Sequence, residues 1–172
     1  MPHPNSETLA RRGWLRSSTR PRGHAKAPTS AAIGALALAL WGAAPAYADA
    51  DANKALVLAY YEAAFNQRDF DKAVQYLSPH YKQHRPTALD GPEGLRKSLD
   101  TLREKFPKAH GDIKHVVAEG DFVMLHILFK RDPEGRGEAI ADVYRLADGK
   151  IAEHWDVSQP VPETSANPNG MF

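Results

Sequence analysis

The 172-residue chain contains no cysteine. Disulfides, thiolate zinc sites, iron–sulfur clusters, cysteine nucleophiles and amino-terminal lipidation are therefore excluded in any compartment. The sequence also lacks a glycine-rich phosphate loop and a nucleophile-elbow serine, so neither a nucleotide-phosphate cradle nor a serine hydrolase of that type is indicated.

The chain has no excess of charge of one sign, since 22 lysines and arginines balance 21 aspartates and glutamates. The clustered arginines lie near the start, at Arg11, Arg12, Arg16, Arg20 and Arg22. Without a basic patch in the remainder, no nucleic-acid partner is expected.

An apolar stretch at 31–44 follows this basic segment and precedes Ala46-Tyr47-Ala48. Basic, then apolar, then small residues is typical of a signal peptide, and the stretch is short for a membrane span of about 20 residues. We therefore expect residues 1–48 to direct export to the periplasm or the exterior, with cleavage after Ala48 or Ala50. An uncleaved anchor is the alternative, and the export route stays open.

Residues 49–172 are predicted to form a single α+β domain. Apolar spacing predicts a helix near 53–66 capped by Asp51, a shorter helix capped by Asp69, and a third from Gly91 to Pro107. From Asp112 the period changes to that of strands. The predicted antiparallel strands lie near 113–119, 121–130, 138–146 and 151–158.

Two of these strands carry an ionisable residue among apolar ones, His126 within 122–129 and Asp142 within 139–146. Burying such groups is costly, so they are expected to serve a partner or a ligand. Simpler interpretations are an ion pair of Asp142 with Arg145 and a hydrogen-bonded core histidine at 126.

Turn counting predicts how the strands pair. A hairpin centred on Glu134 places His126 opposite Asp142, and the Asp148-Gly149 turn places Trp155 opposite Asp142. Met124, Leu128, Ile140 and Tyr144 would share that face, whereas His154 and Asp156 would point away. A slip of one residue would reverse each assignment.

No metal or cofactor is expected. His80 and His84 have the spacing of two ligands on a helix, but Pro79 and Pro86 oppose a helix there and no third ligand is placed with them.

Several segments together resemble the SnoaL-like polyketide cyclase family of the nuclear transport factor 2-like superfamily. They are Tyr81–Pro86, Asp90-Gly91, Glu119–Asp121, Asp142–Arg145, Asp148–Asp156 and Asn169–Phe172. The resemblance spans nearly all of 49–172. In one segment the family's Gln-His-Asn-Pro reads Gln83-His84-Arg85-Pro86 here.

The resemblance implies a cone-shaped, antiparallel or mixed curved sheet wrapped against about three helices and enclosing an apolar pocket. It also implies metal-free aldol condensation, with Asp142 as the general acid/base helped by His126. Tyr81 and His84 would border the pocket, and homodimers are common for this fold.

These observations favour an exported protein that binds a small apolar carbonyl compound and enolises or cyclises it without a cofactor. Asp142 would exchange the proton and His126 would hold the carbonyl oxygen or the carboxylate. The remaining pocket residues would be Trp155, Tyr144, Tyr81, His84, Met124 and Leu128. The alternatives are a non-catalytic ligand-binding module, and a dimer formed through Arg145, His154 and Asp156 on the outer sheet face.

Overall fold

The computed structural model describes residues 49–172. The predicted signal peptide and the Ala48 cleavage point lie outside these residues. Within the described range, no helix combines the length and the apolar character that a membrane crossing requires.

Three helices precede most of the sheet. Helix α1 (Ala50–Tyr61) continues through a π-helical turn at Glu62–Asn66, α2 (Phe70–Ala73) continues as a 3-10 turn, and α3 spans Gly91–Lys105. The three predicted helices are confirmed. The cap of α1 is Asp49 rather than Asp51, because its carboxylate accepts hydrogen bonds from the Asp51 and Ala52 backbone amides.

Five strands form one curved sheet in the order β1-β5-β4-β3-β2. Their bounds are β1 Leu77–Gln83, β2 His110–Glu119, β3 Phe122–Lys130, β4 Glu138–Ala147 and β5 Lys150–Pro160. The four predicted strands pair as an antiparallel meander, and β1 adds to the edge parallel to β5. Strand β1 was not predicted, because Pro79 signals a break, yet an edge strand tolerates a proline.

The core lies between the helices and the inner face of the sheet. Val57 and Tyr60 of α1, Leu99 of α3, and Leu125 and Ile127 of β3 are at most 1% exposed there. The helices thus cover one face of the curved α+β sheet, which is the predicted cone architecture.

Both predicted hairpin registers are wrong by one residue at Asp142. In the first hairpin Leu125 pairs with Asp142, and His126 pairs with Ala141. The loop is not centred on Glu134, because Phe129 pairs with Glu138 after Gly137 adopts a φ of 84°.

The second hairpin begins as predicted and then shifts. Leu146 pairs with Ile151, but Arg145 pairs with Glu153, so Ala152 is an extra residue in β5. Such a β-bulge exchanges the two faces of every residue beyond it. Asp142 consequently pairs with Asp156, and Trp155 pairs with Val143 on the outer face.

Candidate functional site

The two registers bring a buried polar cluster to the inner face of the sheet. Asp142 and Tyr144 of β4 lie beside His154 and Asp156 of β5. Asp142 is 6% exposed and His154 is 5% exposed. Since buried charged groups require compensating partners, the contacts of this cluster decide what it can do.

Asp142 has one partner on each carboxylate oxygen. The Tyr144 hydroxyl donates a 3.0 Å hydrogen bond to Oδ2. On the other side, Nε2 of His154 lies 3.4 Å from Oδ1. The His154 ring also stacks on the Tyr144 ring, with centroids 4.7 Å apart, so the three side chains form one compact group.

Gln83, from the end of β1, fixes the protonation of His154. The Gln83 carbonyl oxygen accepts a 2.9 Å hydrogen bond from the Arg85 backbone N–H, while its amide nitrogen lies 2.9 Å from the Tyr81 hydroxyl. Because the backbone N–H can only donate, this carbonyl must also accept from Nδ1 of His154, 3.1 Å away. His154 therefore carries a proton on Nδ1.

Nε2 of His154 faces Oδ1 of Asp142 without a hydrogen bond. If Nδ1 carries the only imidazole proton, Nε2 is an acceptor facing a carboxylate acceptor, which is unfavourable at 3.4 Å. The contact becomes favourable as imidazolium with carboxylate, or as neutral imidazole with carboxylic acid. A proton gained by either group would therefore turn this contact into a hydrogen bond.

Four tyrosines surround this pair: Tyr60, Tyr61, Tyr81 and Tyr144. Burial raises the pKa of each above its usual range, and the negative charge of Asp142 adds to the rise. These phenols therefore stay neutral and act as hydroxyl groups rather than as bases.

Asp156 is the second carboxylate of the cluster. Its Oδ2 lies 3.4 Å from the Arg85 guanidinium, and its side chain is 4% exposed. Burial raises the pKa of Asp156; Arg85 opposes the rise and Asp142 adds to it. Within residues 49–172, Oδ1 of Asp156 and Nε2 of His154 are buried without a hydrogen-bond partner.

These two atoms border open space. One cavity of about 60 Å³ is lined by Asp142, His154 and Asp156, and a second of about 60 Å³ by Tyr81, Gln83 and His154. Each has room for several water-sized groups. The two cavities share Phe65, Arg85 and His154, and we call them together the inner chamber.

The structure contradicts the predicted placement of His126. Its side chain lies on the outer face, where its Nδ1 is 3.3 Å from Nδ1 of His115 and its ring packs on Phe172. The predicted pairing with Asp142 is wrong because the hairpin register differs by one residue, and His154 occupies the position expected for His126.

Four predicted pocket residues also lie outside the chamber. Trp155 stacks on His84 with centroids 4.3 Å apart, and His84 Nε2 lies 2.8 Å from Glu153. Met124 is 37% exposed on the same outer face, and Leu128 lines a surface groove beside Lys130. The one-residue shifts of the two hairpin registers explain why Met124, Leu128 and Trp155 lie on the outer face.

Tyr81, in contrast, lines the chamber, and Tyr144 contacts Asp142 beside it. Sequence reasoning missed His154 and Asp156, and it did not place Gln83 or Arg85 in the site. No turn signal marks the extra residue Ala152, which turns His154 and Asp156 inward. Among residues 49–172, no cluster of three or more histidines and carboxylates is arranged for a metal ion.

Solved structures of related shape support the fold assignment. TsrD from Streptomyces laurentii has a TM-score of 0.55 and 23% identity over 64% of this chain and 90% of its own. A Bacillus cereus protein provisionally classed as a polyketide cyclase has a TM-score of 0.55 and 20% identity over 62% of this chain and 74% of its own. A Jannaschia protein provisionally classed as a SnoaL-like polyketide cyclase has a TM-score of 0.54 and 20% identity over 63% of this chain and 85% of its own.

Proteins with curated functions gave no match. The SnoaL-like domain, however, matches residues 57–154, which is more than half of the chain and includes Asp142 and His154. The fold is the nuclear transport factor 2-like fold. The chain belongs to the SnoaL-like family.

Proposed function

We propose that this protein binds a small, largely apolar carbonyl compound in the inner chamber and that Asp142 exchanges a proton with the carbon next to the carbonyl. The observation that carries the proposal is the buried Asp142–His154 pair, whose Oδ1 and Nε2 atoms lie 3.4 Å apart beside open space. A carboxylate in such a setting can act as a general base near neutral pH.

The reaction needs no cofactor. As carboxylate, Asp142 accepts the proton of the C–H bond, and the electron pair of that bond moves through the new C=C bond onto the carbonyl oxygen to give an enolate. Return of the proton completes an isomerisation or exchange. Attack of the enolate carbon on a second carbonyl group of the same molecule instead closes a ring, and the resulting alkoxide takes the proton back from Asp142, as in an aldol cyclisation. His154 takes the helper role that the sequence assigned to His126.

Asp142→Asn tests the acid/base role, since asparagine keeps the shape and removes the base. The measurement is deuterium uptake from D₂O by the ketone benzylacetone, followed by NMR. We expect the wild type to exchange about 10²- to 10⁴-fold faster than the variant. His126→Gln, on the outer face, is the matched control and should exchange like wild type. Equal rates for Asp142→Asn and wild type would show that Asp142 is not the base.

Non-catalytic binding is a second candidate, favoured by the small size of the chamber. Its two cavities of about 60 Å³ each leave little room for a large polyketide to rearrange. A binding module would bind benzylacetone without accelerating deuterium uptake.

We also propose that two copies associate through the outer sheet face. Val117, Phe122, Met124 and Val157 are between 37% and 74% exposed on that face. The polar interface predicted from Arg145, His154 and Asp156 is wrong, because the last two residues point inward. A dimer mass by light scattering that falls to the monomer mass in Met124→Glu supports this assembly, and a monomeric wild type excludes it.

Export to the periplasm or the exterior remains part of the proposal. It rests on residues 11–48, in which a basic segment is followed by an apolar stretch and then by small residues.

A further inference from the structure

We propose that the bound molecule carries a carboxylate group, which is held in a cationic cleft at the entrance of the inner chamber. This inference rests on the proposed function, because it assumes that the chamber binds a small molecule. The cleft has a volume of about 430 Å³ and is open to solvent. Its size lies in the range of small-molecule sites, which the inner chamber alone does not reach.

The lining of the cleft carries positive charge and no negative charge. The lining residues are Arg85, Thr87, Ala88, Leu89, Gly94, Lys97, Ser98, Thr101 and Arg131. Three of the nine are cationic and none is acidic. A concave surface lined by charge of one sign concentrates ligands of the opposite sign.

Intramolecular pairing leaves part of this charge available. Arg131 forms an ion pair with Glu138, and Arg85 contacts Asp156 at 3.4 Å. Among residues 49–172, the Arg85 guanidinium donates no hydrogen bond and Lys97 has no carboxylate partner. A ligand carboxylate can therefore accept from the Lys97 ammonium and from free N–H groups of Arg85, which offers a planar, bidentate donor edge.

Helix α3 builds one wall of the cleft. Gly94, Lys97, Ser98 and Thr101 recur at helical spacing, so they share one face of the helix. Gly94 also borders the inner chamber, and its missing side chain brings the helix against the Leu89 backbone. The wall that carries Lys97 is thus continuous with the chamber wall.

Arg85 joins the two spaces, because it lines the cleft and both cavities of the inner chamber. Phe65, Tyr61 and Ile140 provide apolar and aromatic surface further inside, next to Asp142. A molecule with a carboxylate at one end and a ketone on an apolar body matches this order of surfaces. The chemical class is therefore an apolar keto acid rather than a neutral ketone.

A pair of probes that differ only in charge tests the inference: benzoylpropionate and its uncharged amide, benzoylpropionamide. Each is titrated into the full-length protein by NMR at neutral pH and low salt. We expect the acid to bind about tenfold or more tightly than the amide, and the difference to shrink with added salt because exposed charges are screened.

Lys97→Met removes one cation at an exposed position and is expected to weaken acid binding about three- to tenfold without changing amide binding. Lys105→Met, an exposed residue of the same helix outside the cleft, is the control and should leave both affinities unchanged. Equal affinities of acid and amide for the wild type overturn the inference and leave the proposed function intact. Failure of both probes, together with benzylacetone, to bind overturns the proposed function and the inference with it.

Discussion

At the residue scale, the tautomer of His154 depends on a single side-chain amide, that of Gln83. The Arg85 backbone N–H orients the Gln83 carbonyl, that carbonyl orients His154, and Nε2 of His154 faces Oδ1 of Asp142 at 3.4 Å. Each contact constrains the next because backbone N–H groups cannot accept hydrogen bonds. The orientation of the imidazole beside Asp142 is consequently determined by a turn that follows β1, far from Asp142 in the sequence.

Tyr144→Phe should destabilise the fold. The Tyr144 hydroxyl is fully buried and donates to Oδ2 of Asp142, so its removal leaves a buried carboxylate oxygen without that donor. We expect the free energy of unfolding, measured by urea denaturation, to fall by about 1–3 kcal/mol. Tyr76→Phe is the control, because the Tyr76 hydroxyl makes no hydrogen bond with the described residues. Equal changes in both variants would contradict the role of this bond.

Asp156→Asn should show a pH-dependent effect on stability. Since burial raises the pKa of Asp156, the folded state keeps this proton to a higher pH than the unfolded chain does. Its contribution to stability is present below the ordinary carboxyl range and is lost as the pH rises through the raised pKa.

We therefore expect the variant to gain stability relative to wild type between about pH 4 and about pH 7. Urea denaturation at the two pH values measures the free energy of unfolding of both proteins. Groups that titrate in both proteins cancel when the variant is compared with wild type. A difference that does not change with pH would show that Asp156 titrates normally.

Residue types predicted part of the site. Asp142, Tyr144 and Tyr81 were identified because a carboxylate within an apolar strand and the family resemblance both point to the pocket. Counting alternate residues from the Asp148-Gly149 turn predicts that His154 faces away from Asp142. This count fails because the strand pairing shifts by one residue at Ala152.

At the element scale, the Ala152 bulge determines the chemistry of the pocket. With regular pairing, Trp155 would lie beside Asp142 and His154 would face outward. The extra residue reverses this and places an imidazole where an indole was expected. Bulges leave little sequence signal, since they depend on the twist and packing of both strands.

The Gly94→Ala substitution should separate helix propensity from packing. Alanine favours the helix by about 1 kcal/mol over glycine, but a Cβ at this position would lie 1.9 Å from the Leu89 carbonyl oxygen. Because that atom belongs to the backbone, we expect the clash to dominate and the free energy of unfolding to fall by about 1–3 kcal/mol.

Urea denaturation provides the measurement, with Glu104→Ala as the control at an exposed position of α3. The control should change stability by less than about 0.5 kcal/mol. A stabilised Gly94→Ala protein would mean that α3 can move away from the Leu89 backbone.

At the scale of the whole molecule, the order of helices followed by a meander predicted the layers, because each apolar stripe must be buried against another element. The edge strand β1 was not predicted, since its pairing with β5 spans about 70 residues and its sequence contains a proline. Only long-range packing reveals that β1 brings Tyr81 and Gln83 to the site.

The proposed export should yield a protein that begins at Asp49. Its carboxylate caps α1, so cleavage after Ala48 keeps the cap and cleavage after Ala50 removes it. We expect mass spectrometry of the protein from the periplasm or culture medium to identify Asp49 as the first residue. A protein that starts at Asp51 should lose about 1 kcal/mol of stability relative to one that starts at Asp49. Retention of Met1 would instead support an uncleaved anchor.

The stacking of Trp155 on His84 has a practical consequence. Of the three tryptophans, Trp14 and Trp41 precede the proposed cleavage point, so a chain cleaved there would have a single indole fluorophore. This fluorophore sits outside the chamber, next to Phe122. Its emission should shift to shorter wavelength when copies associate at rising concentration and stay constant when benzoylpropionate binds, so an unlabelled sample reports the two events separately.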